Sequence, residues 1–183
     1  TEPFFFHPSS AMFRLKRVER GERDPLLEVC QLQTGDSFLD CTLGYASDSL
    51  VAAFAVGESG SITGCDANPI LAFILKEAFH NGRTEYVDFQ TYMNRIQVIS
   101  NNAVSYLTTL ADESVDVIYM DPMFETSISE SVNISPLRSL GIQDALNLEW
   151  MNEAKRVAKK RVVLKAHFKS PWFEQFGFQQ IVR

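Results

Sequence analysis

The sequence predicts an α/β domain built on a mostly parallel sheet, and three observations predict it. Past about residue 35, short apolar runs of strand type alternate with segments of helical period, the pattern of successive β-α-β units. The 183 residues, 45% hydrophobic and 22% charged, have the profile of one globular domain able to bury a sizeable core. Each strand-like run also ends in a polar residue, so one edge of the expected sheet collects chemistry-bearing groups.

Residues 1–35 form an expected appendage and 36–183 the main domain. The appendage opens with Phe4-Phe5-Phe6-His7-Pro8, followed by Ser9 or Ser10 as N-cap of a basic helix through Met12, Leu15 and Val18. The first strand is Ser37–Cys41. The turn Thr42-Leu43-Gly44-Tyr45-Ala46 leads to an apolar helix over Leu50–Val56 that Gly57 ends. A second strand, Ser61–Asp66, precedes Asn68-Pro69, an N-cap and N1 pair opening a helix through Ile70, Leu71, Leu75 and Phe79. Strand three is Arg95–Ser100, then a short helix Ala103–Leu110, then strand four, Val115–Met120, which stops at Asp121-Pro122 because proline cannot extend a central ladder. Glu125 to Gly141 holds five serines and one proline without periodicity, a long surface loop of the kind that closes on substrate. A helix with Leu146, Trp150, Met151, Ala154 and Val157 on one face precedes strand five, Val162–Lys165, and a last strand, Phe178–Val182.

Charge and cysteine usage narrow the class. No apolar run reaches the roughly 18 residues of a membrane-spanning helix, so no membrane partner is expected. The first residues lack an initiator Met and a basic segment, which fits a piece of a longer chain rather than a secretory signal. Cys30, Cys41 and Cys65 are too few and too widely spaced for a disulfide framework, which suits a reducing cytoplasm. His7, His80 and His167 make no metal pair, and no metal is expected. Net charge is −6, yet twelve of the seventeen cations fall in two short segments, Arg14 to Arg23 and Lys155 to Lys169. Local potential of that kind can steer a polyanion, although basic residues also gather on solvated faces.

In a doubly wound sheet, ligands bind where the carboxyl ends of the strands open at the switch point. The polar strand ends are Asp40, Asp66, Asn101 with Asn102, Asp121 and Lys165. The turn after Asp40 has a single glycine and a carboxylate, which disfavours the pyrophosphate of NAD or FAD. A ligand with an ammonium group and no phosphate suits Asp40, directly or through water, and S-adenosyl-L-methionine is such a ligand. Asp66 is placed to accept two ribose hydroxyls, and Asn102 to meet the adenine edge. Asp121-Pro122-Met123-Phe124 is the most specific signal. A ring-conjugated amine has a delocalised lone pair, so it needs acceptors for its N–H bonds. Asp121 and a backbone carbonyl of the Asp-Pro turn can supply them, and Phe124 offers a stacking face.

These stretches, Asp40-Cys41-Thr42-Leu43-Gly44, Cys65-Asp66-Ala67-Asn68 and Asp121-Pro122-Met123-Phe124, resemble class I S-adenosylmethionine-dependent methyltransferases in order and spacing. Within these, the chain is similar to the small-subunit ribosomal RNA guanine-N2 methyltransferases, as are Phe6-His7-Pro8-Ser9 with Ala11 and Arg161-Val162-Val163-Leu164-Lys165. The resemblance implies a Rossmann-like, doubly wound, mostly parallel sheet. It implies S-adenosyl-L-methionine bound at Asp40, Thr42, Gly44, Asp66, Ala67, Asn101 and Asn102. Asp121, Pro122 and Phe124 would do the chemistry, Met123 and Lys165 would meet the substrate, and the partner would be ribosomal RNA. The pattern departs at Tyr45 and Ala46, where many members have smaller residues, and at Asn102, where an acidic residue is common. The alternatives are methylation of another base such as adenine N6, a non-catalytic RNA-binding protein with a residual pocket, and a nicotinamide oxidoreductase. The single-glycine turn disfavours the last.

Overall fold

The computed structural model describes residues 9–81, 87–122 and 146–181. Its elements run α1 (Ser9–Glu19), α2 (Pro25–Cys30), β1 (Ser37–Asp40), α3 (Ser47–Val56), β2 (Ser61–Asp66), α4 (Pro69–Asn81), α5 (Val87–Asn94), β3 (Ile96–Ser100), α6 (Ala103–Leu107), β4 (Val115–Met120), α7 (Leu148–Val157), β5 (Ala158–Leu164) and α8 (Trp172–Phe176). Five parallel strands lie in the order β3-β2-β1-β4-β5. The order reverses between β1 and β4, so the switch-point crevice opens beside Asp40 and Asp121.

The strands are apolar on both sides because both faces are covered. Phe38, Val117 and Tyr119 enter one core with the inward sides of α1 to α5, while Leu39, Ile118 and Met120 enter the other with α6 and α7. Helix α3 is buried through Leu50, Val51, Ala52, Ala53 and Val56, and α1 lies across it with Ala11 and Leu15 in the same cluster. The start of α4 is as the sequence expected: Asn68 Oδ1 accepts from Ile70 N and Leu71 N, and Pro69 needs no donor partner. Gly57 ends α3 at φ +66. Among the described residues no helix is long and apolar enough to cross a membrane.

Several elements differ from expectation. Phe178–Ile181 is not a strand: Gly177 turns left-handed (φ +73), and the Phe178 amide closes onto the Phe173 carbonyl, so the chain folds back on α8. Strand β5 begins at Ala158, earlier than expected, because Lys160 and Arg161 lie on the strand with bonded heads. Lys160 meets Asp36 (2.6 Å) and Asp116 (3.3 Å), and Arg161 meets the Val29 carbonyl and Gln31. The helical stretch after Ala103 stops at Leu107. Helices α2, α5 and α8 are additional. The first has Asp24 as N-cap and Pro25 at N1, a start signal within the expected appendage. The Phe4–Pro8 run and the serine-rich segment lie outside the described residues.

Candidate functional site

The carboxyl ends of β1, β2, β4 and β5 meet at one edge, through pairings Asp40↔Gly64, Asp40↔Tyr119 and Met120↔Leu164. Asp40 is 1% exposed. Its Oδ1 accepts from Thr42 N (3.0 Å) and Thr42 Oγ1 (3.3 Å), and its Oδ2 from Ser49 Oγ (2.8 Å). Burial, with the nearby charge of Asp48, pushes its pKa up to about 7 against the pull of these bonds. In this geometry Asp40 faces inward and shapes the turn, so of the two expected routes to a ligand ammonium, direct or through water, the direct one is the less accessible. Thr42 carries the turn onward, its Oγ1 accepting from Asp121 N at 2.7 Å.

Asp66 ties two strand ends together. Its Oδ2 accepts from Gly44 N (3.2 Å) and its Oδ1 from Asn68 N (2.8 Å), around the bend at Ala67. Burial raises its pKa while these bonds oppose the rise. Gly44 is needed for its φ of +49, and a Cβ there would meet nothing nearer than Thr42 O at 3.8 Å, so the space over the turn is open. Gly64 is the reverse case. A Cβ there would fall 2.3 Å from Leu43 Cδ1, so the turn can lie on β2 only because the side chain is absent. Asn102 Oδ1 caps α6 (Val104 N, Ser105 N), which fixes the side chain expected at an adenine edge at the head of that helix, while Asn101 is exposed beside it.

Asp121 follows β4 with its side chain 34% exposed, and Lys165 Nζ lies 2.7 Å from its Oδ2. Burial raises the Asp121 pKa, Lys165 draws it back and Asp48 adds to the rise. Pro122 is half-buried, and Met123 and Phe124 lie outside the described residues. Lys165, expected to reach substrate, is held between Asp121 and Asp48 (3.2 Å). Reading the strand ends passed over Asp48, Ser49, Tyr119 and Arg14. A signal for the first two existed, since Ser47-Asp48-Ser49 is polar at the head of an apolar helix; nothing in the sequence pairs Arg14 with Asp48. The basic segments are also largely committed to the fold. Arg14 binds Asp24 and Asp48, Arg17 binds Glu22, and Arg156 binds Glu153, Asp112 and two carbonyls. A separate cavity of about 330 Å³, lined by Phe79, Met93, Ile96 and Val98, lies at the amino end of β3, away from this edge.

The donor set fits an adenosine ligand that carries positive charge and no phosphate. Each Asp66 oxygen keeps a lone pair after its backbone bond, the geometry a vicinal diol requires. Asp66 and the partly exposed Asp121 present carboxylate oxygens at this edge, which disfavours a diphosphate and suits a sulfonium with an ammonium. Fold and site geometry together thus fit a doubly wound protein that takes an adenosine ligand. The family model described as "Putative SAM-dependent methyltransferase" matches residues 5–180, and the chain belongs to that family. S-adenosyl-L-methionine is its cofactor. The chain is 47% identical to "Uncharacterized protein YpiP" of Bacillus subtilis over 98% of its own length and 70% of that protein. It is 30% identical to ribosomal RNA small subunit methyltransferase J of Hydrogenovibrio crunogenus, over 82% of this chain and 55% of that one, so it spans about half of that relative. A SAM-dependent methyltransferase from Neisseria gonorrhoeae shares the fold at TM-score 0.56 and 22% identity, covering 87% of this chain and 60% of the other.

Proposed function

We propose that the protein transfers a methyl group from S-adenosyl-L-methionine to an exocyclic amine of an RNA base, guanine N2 of small-subunit ribosomal RNA. The observation that carries this reading is Asp121. Lys165 occupies its Oδ2, no bond engages its Oδ1 among the described residues, and its backbone amide bonds Thr42 Oγ1 at the start of the turn that Gly44 and Asp66 hold. The name of the ribosomal RNA relative supports RNA as substrate.

In this reading Asp66 accepts the ribose hydroxyls, with Gly44, Ala67 and Asn101 lining the adenosine, while Asp40 and Thr42 hold the first turn in shape. When bound, the cofactor supplies an electrophilic methyl on sulfur. Asp121 Oδ1 and the Pro122 carbonyl accept the amine N–H bonds and draw the nitrogen toward tetrahedral geometry, with Phe124 assigned as the stacking face for the base and Met123 as a substrate contact. Burial raises the Asp121 pKa and Lys165, bonded to its Oδ2, opposes that rise. Alignment and closeness supply most of the acceleration in such a displacement. Residues 1–35 act as an appendage to the 36–183 catalytic domain, and the work is cytoplasmic.

The test is methyl transfer to RNA from cells lacking the protein, followed by nucleoside mass spectrometry. N2-methylguanosine in the small-subunit RNA is expected. A different methylated base would replace the guanine assignment, and label found only on protein or small molecules would end the RNA reading.

A further inference from the structure

Three residues from distant parts of the chain converge behind Asp121. Asp48, in the first turn of α3, has a side chain only 14% exposed and receives three donors. Arg14 Nη1 reaches its Oδ1 at 2.5 Å, while Tyr119 OH (2.7 Å) and Lys165 Nζ (3.2 Å) share its Oδ2. Arg14 is fixed from the other side by a two-pronged pair with Asp24, at 2.8 and 2.9 Å. The far end of this chain of contacts is Asp121 Oδ2, 2.7 Å from the same ammonium.

A lysine head on a four-carbon stem is a mobile point charge, and one exposed ion pair with a single carboxylate holds it weakly. Lys165 is 59% exposed, so Asp121 alone would not confine it. Asp48 differs from Asp121 in this respect. Its guanidinium and phenol partners come from α1 and β4, elements packed in one core, so it is a fixed post rather than a second mobile arm. An ammonium tied to that post can bond Asp121 from one direction only. That occupies Oδ2, sets the carboxylate's rotation and leaves Oδ1 turned away from the lysine.

We propose that Asp48 is a positioning residue for methyl transfer: held by Arg14 and Tyr119, it anchors Lys165 on one oxygen of Asp121 so that the other oxygen meets the amine. This rests on the reading of Asp121 as the amine's acceptor. It makes the N-terminal helix, through Arg14, part of the active arrangement without touching substrate.

The test is a double-mutant cycle on the full chain, with RNA from cells lacking the protein as methyl acceptor. Asp48→Asn and Lys165→Met should each lower kcat by ~10- to 100-fold, with KM for RNA and the calorimetric cofactor affinity nearly unchanged. The double variant should be no slower than Lys165→Met alone, because both changes remove one effect. Lys165→Arg, which keeps a cation between the two carboxylates, should recover part of the loss. Multiplying losses in the double variant would show that Asp48 acts independently of Lys165 and would overturn the proposal. Should Asp48→Asn not fold, Arg14→Gln, which loosens the post from outside, must show the same non-additivity with Lys165→Met. A crystal structure of either folded variant gives a readout that needs no substrate. Lys165 Nζ should leave Asp121 Oδ2, and its retention there with an unrotated carboxylate would refute the anchoring. If wild-type protein binds cofactor but methylates no RNA, the substrate reading fails, and the structural comparison still decides the anchoring.

Discussion

Asp121 is half-exposed, ion-paired on one oxygen and close to the turn that fits the cofactor, so its removal should separate chemistry from binding. Asp121→Asn is expected to reduce turnover by about 100-fold or more and to leave cofactor affinity within about twofold, because only the reacting arrangement loses its acceptor. Radiolabelled transfer and calorimetry measure the two; full turnover would remove the residue from the mechanism. Asp66→Ala should do the reverse in binding. The loss of charge-assisted bonds worth about 1.5–3 kcal/mol each should weaken cofactor binding by tenfold or more in calorimetry, and an unaltered Kd would refute the ribose assignment. Both aspartates were recognisable in the sequence, since a carboxylate at the end of an apolar run is a local pattern. Asp40 was recognisable as well, but its inward orientation was not. Whether a strand-end carboxylate points into a crevice or into its own turn depends on Ser49, nine residues on, swinging back to meet it at 2.8 Å.

At the scale of elements, the turn between β1 and α3 is a moulded part that depends on a neighbour. Leu43 lies against the bare Cα of Gly64, and adding a methyl there would place it 2.3 Å from Leu43 Cδ1. Gly64→Ala should therefore cost about 1–3 kcal/mol in urea unfolding as the turn is pushed outward, and should weaken cofactor binding in parallel. Lost stability with unchanged cofactor affinity would show that the turn's position does not govern binding. Elements bounded by strong local signals were readable: Asn68-Pro69 opens α4, Gly57 closes α3, and Asp121-Pro122 stops β4. Short helices were not. Helix α8 has five residues and α2 has six, too few turns to show a period, and they hold through packing on the two cores. The opening of β5 was hidden because its lysine and arginine look like solvated surface until Asp36, Asp116 and Gln31 are brought to them.

For the whole molecule, the acid limb of stability should follow carboxylates that fasten elements together. Asp116 accepts from Ser37 N (2.9 Å) and Ser37 Oγ (2.7 Å) and pairs with Lys160, joining the amino ends of β1, β4 and β5. Although partial burial opposes it, these bonds lower its pKa from 3.8 to about 2. A carboxyl lowered by folding contributes stability that is fully present above its unfolded value and lost as pH falls through the folded one. Asp116→Asn should thus flatten the fall in urea-unfolding stability between about pH 4 and about pH 2. An unchanged slope would place the acid sensitivity elsewhere. Asp40 has the opposite sign: its pKa, pushed up to about 7, makes ionisation cost stability as pH rises from about 4 to about 7.

The alternation of apolar runs with helical periods, the polar strand ends and the Asp-Pro stop were enough to specify a parallel α/β sheet with polar groups gathered along one edge. Those features are local: they depend on residues a few positions apart, which is the range over which periodicity, capping and proline act. The strand order, the inward turn of Asp40, the internal pairing of the basic segments and the meeting of Arg14, Asp48, Lys165 and Asp121 belong to the folded chain alone. Several of these join side chains more than a hundred residues apart, 117 between Asp48 and Lys165 and 130 between Gln31 and Arg161, and only the packing of helices on both faces of the sheet brings such groups within hydrogen-bonding distance.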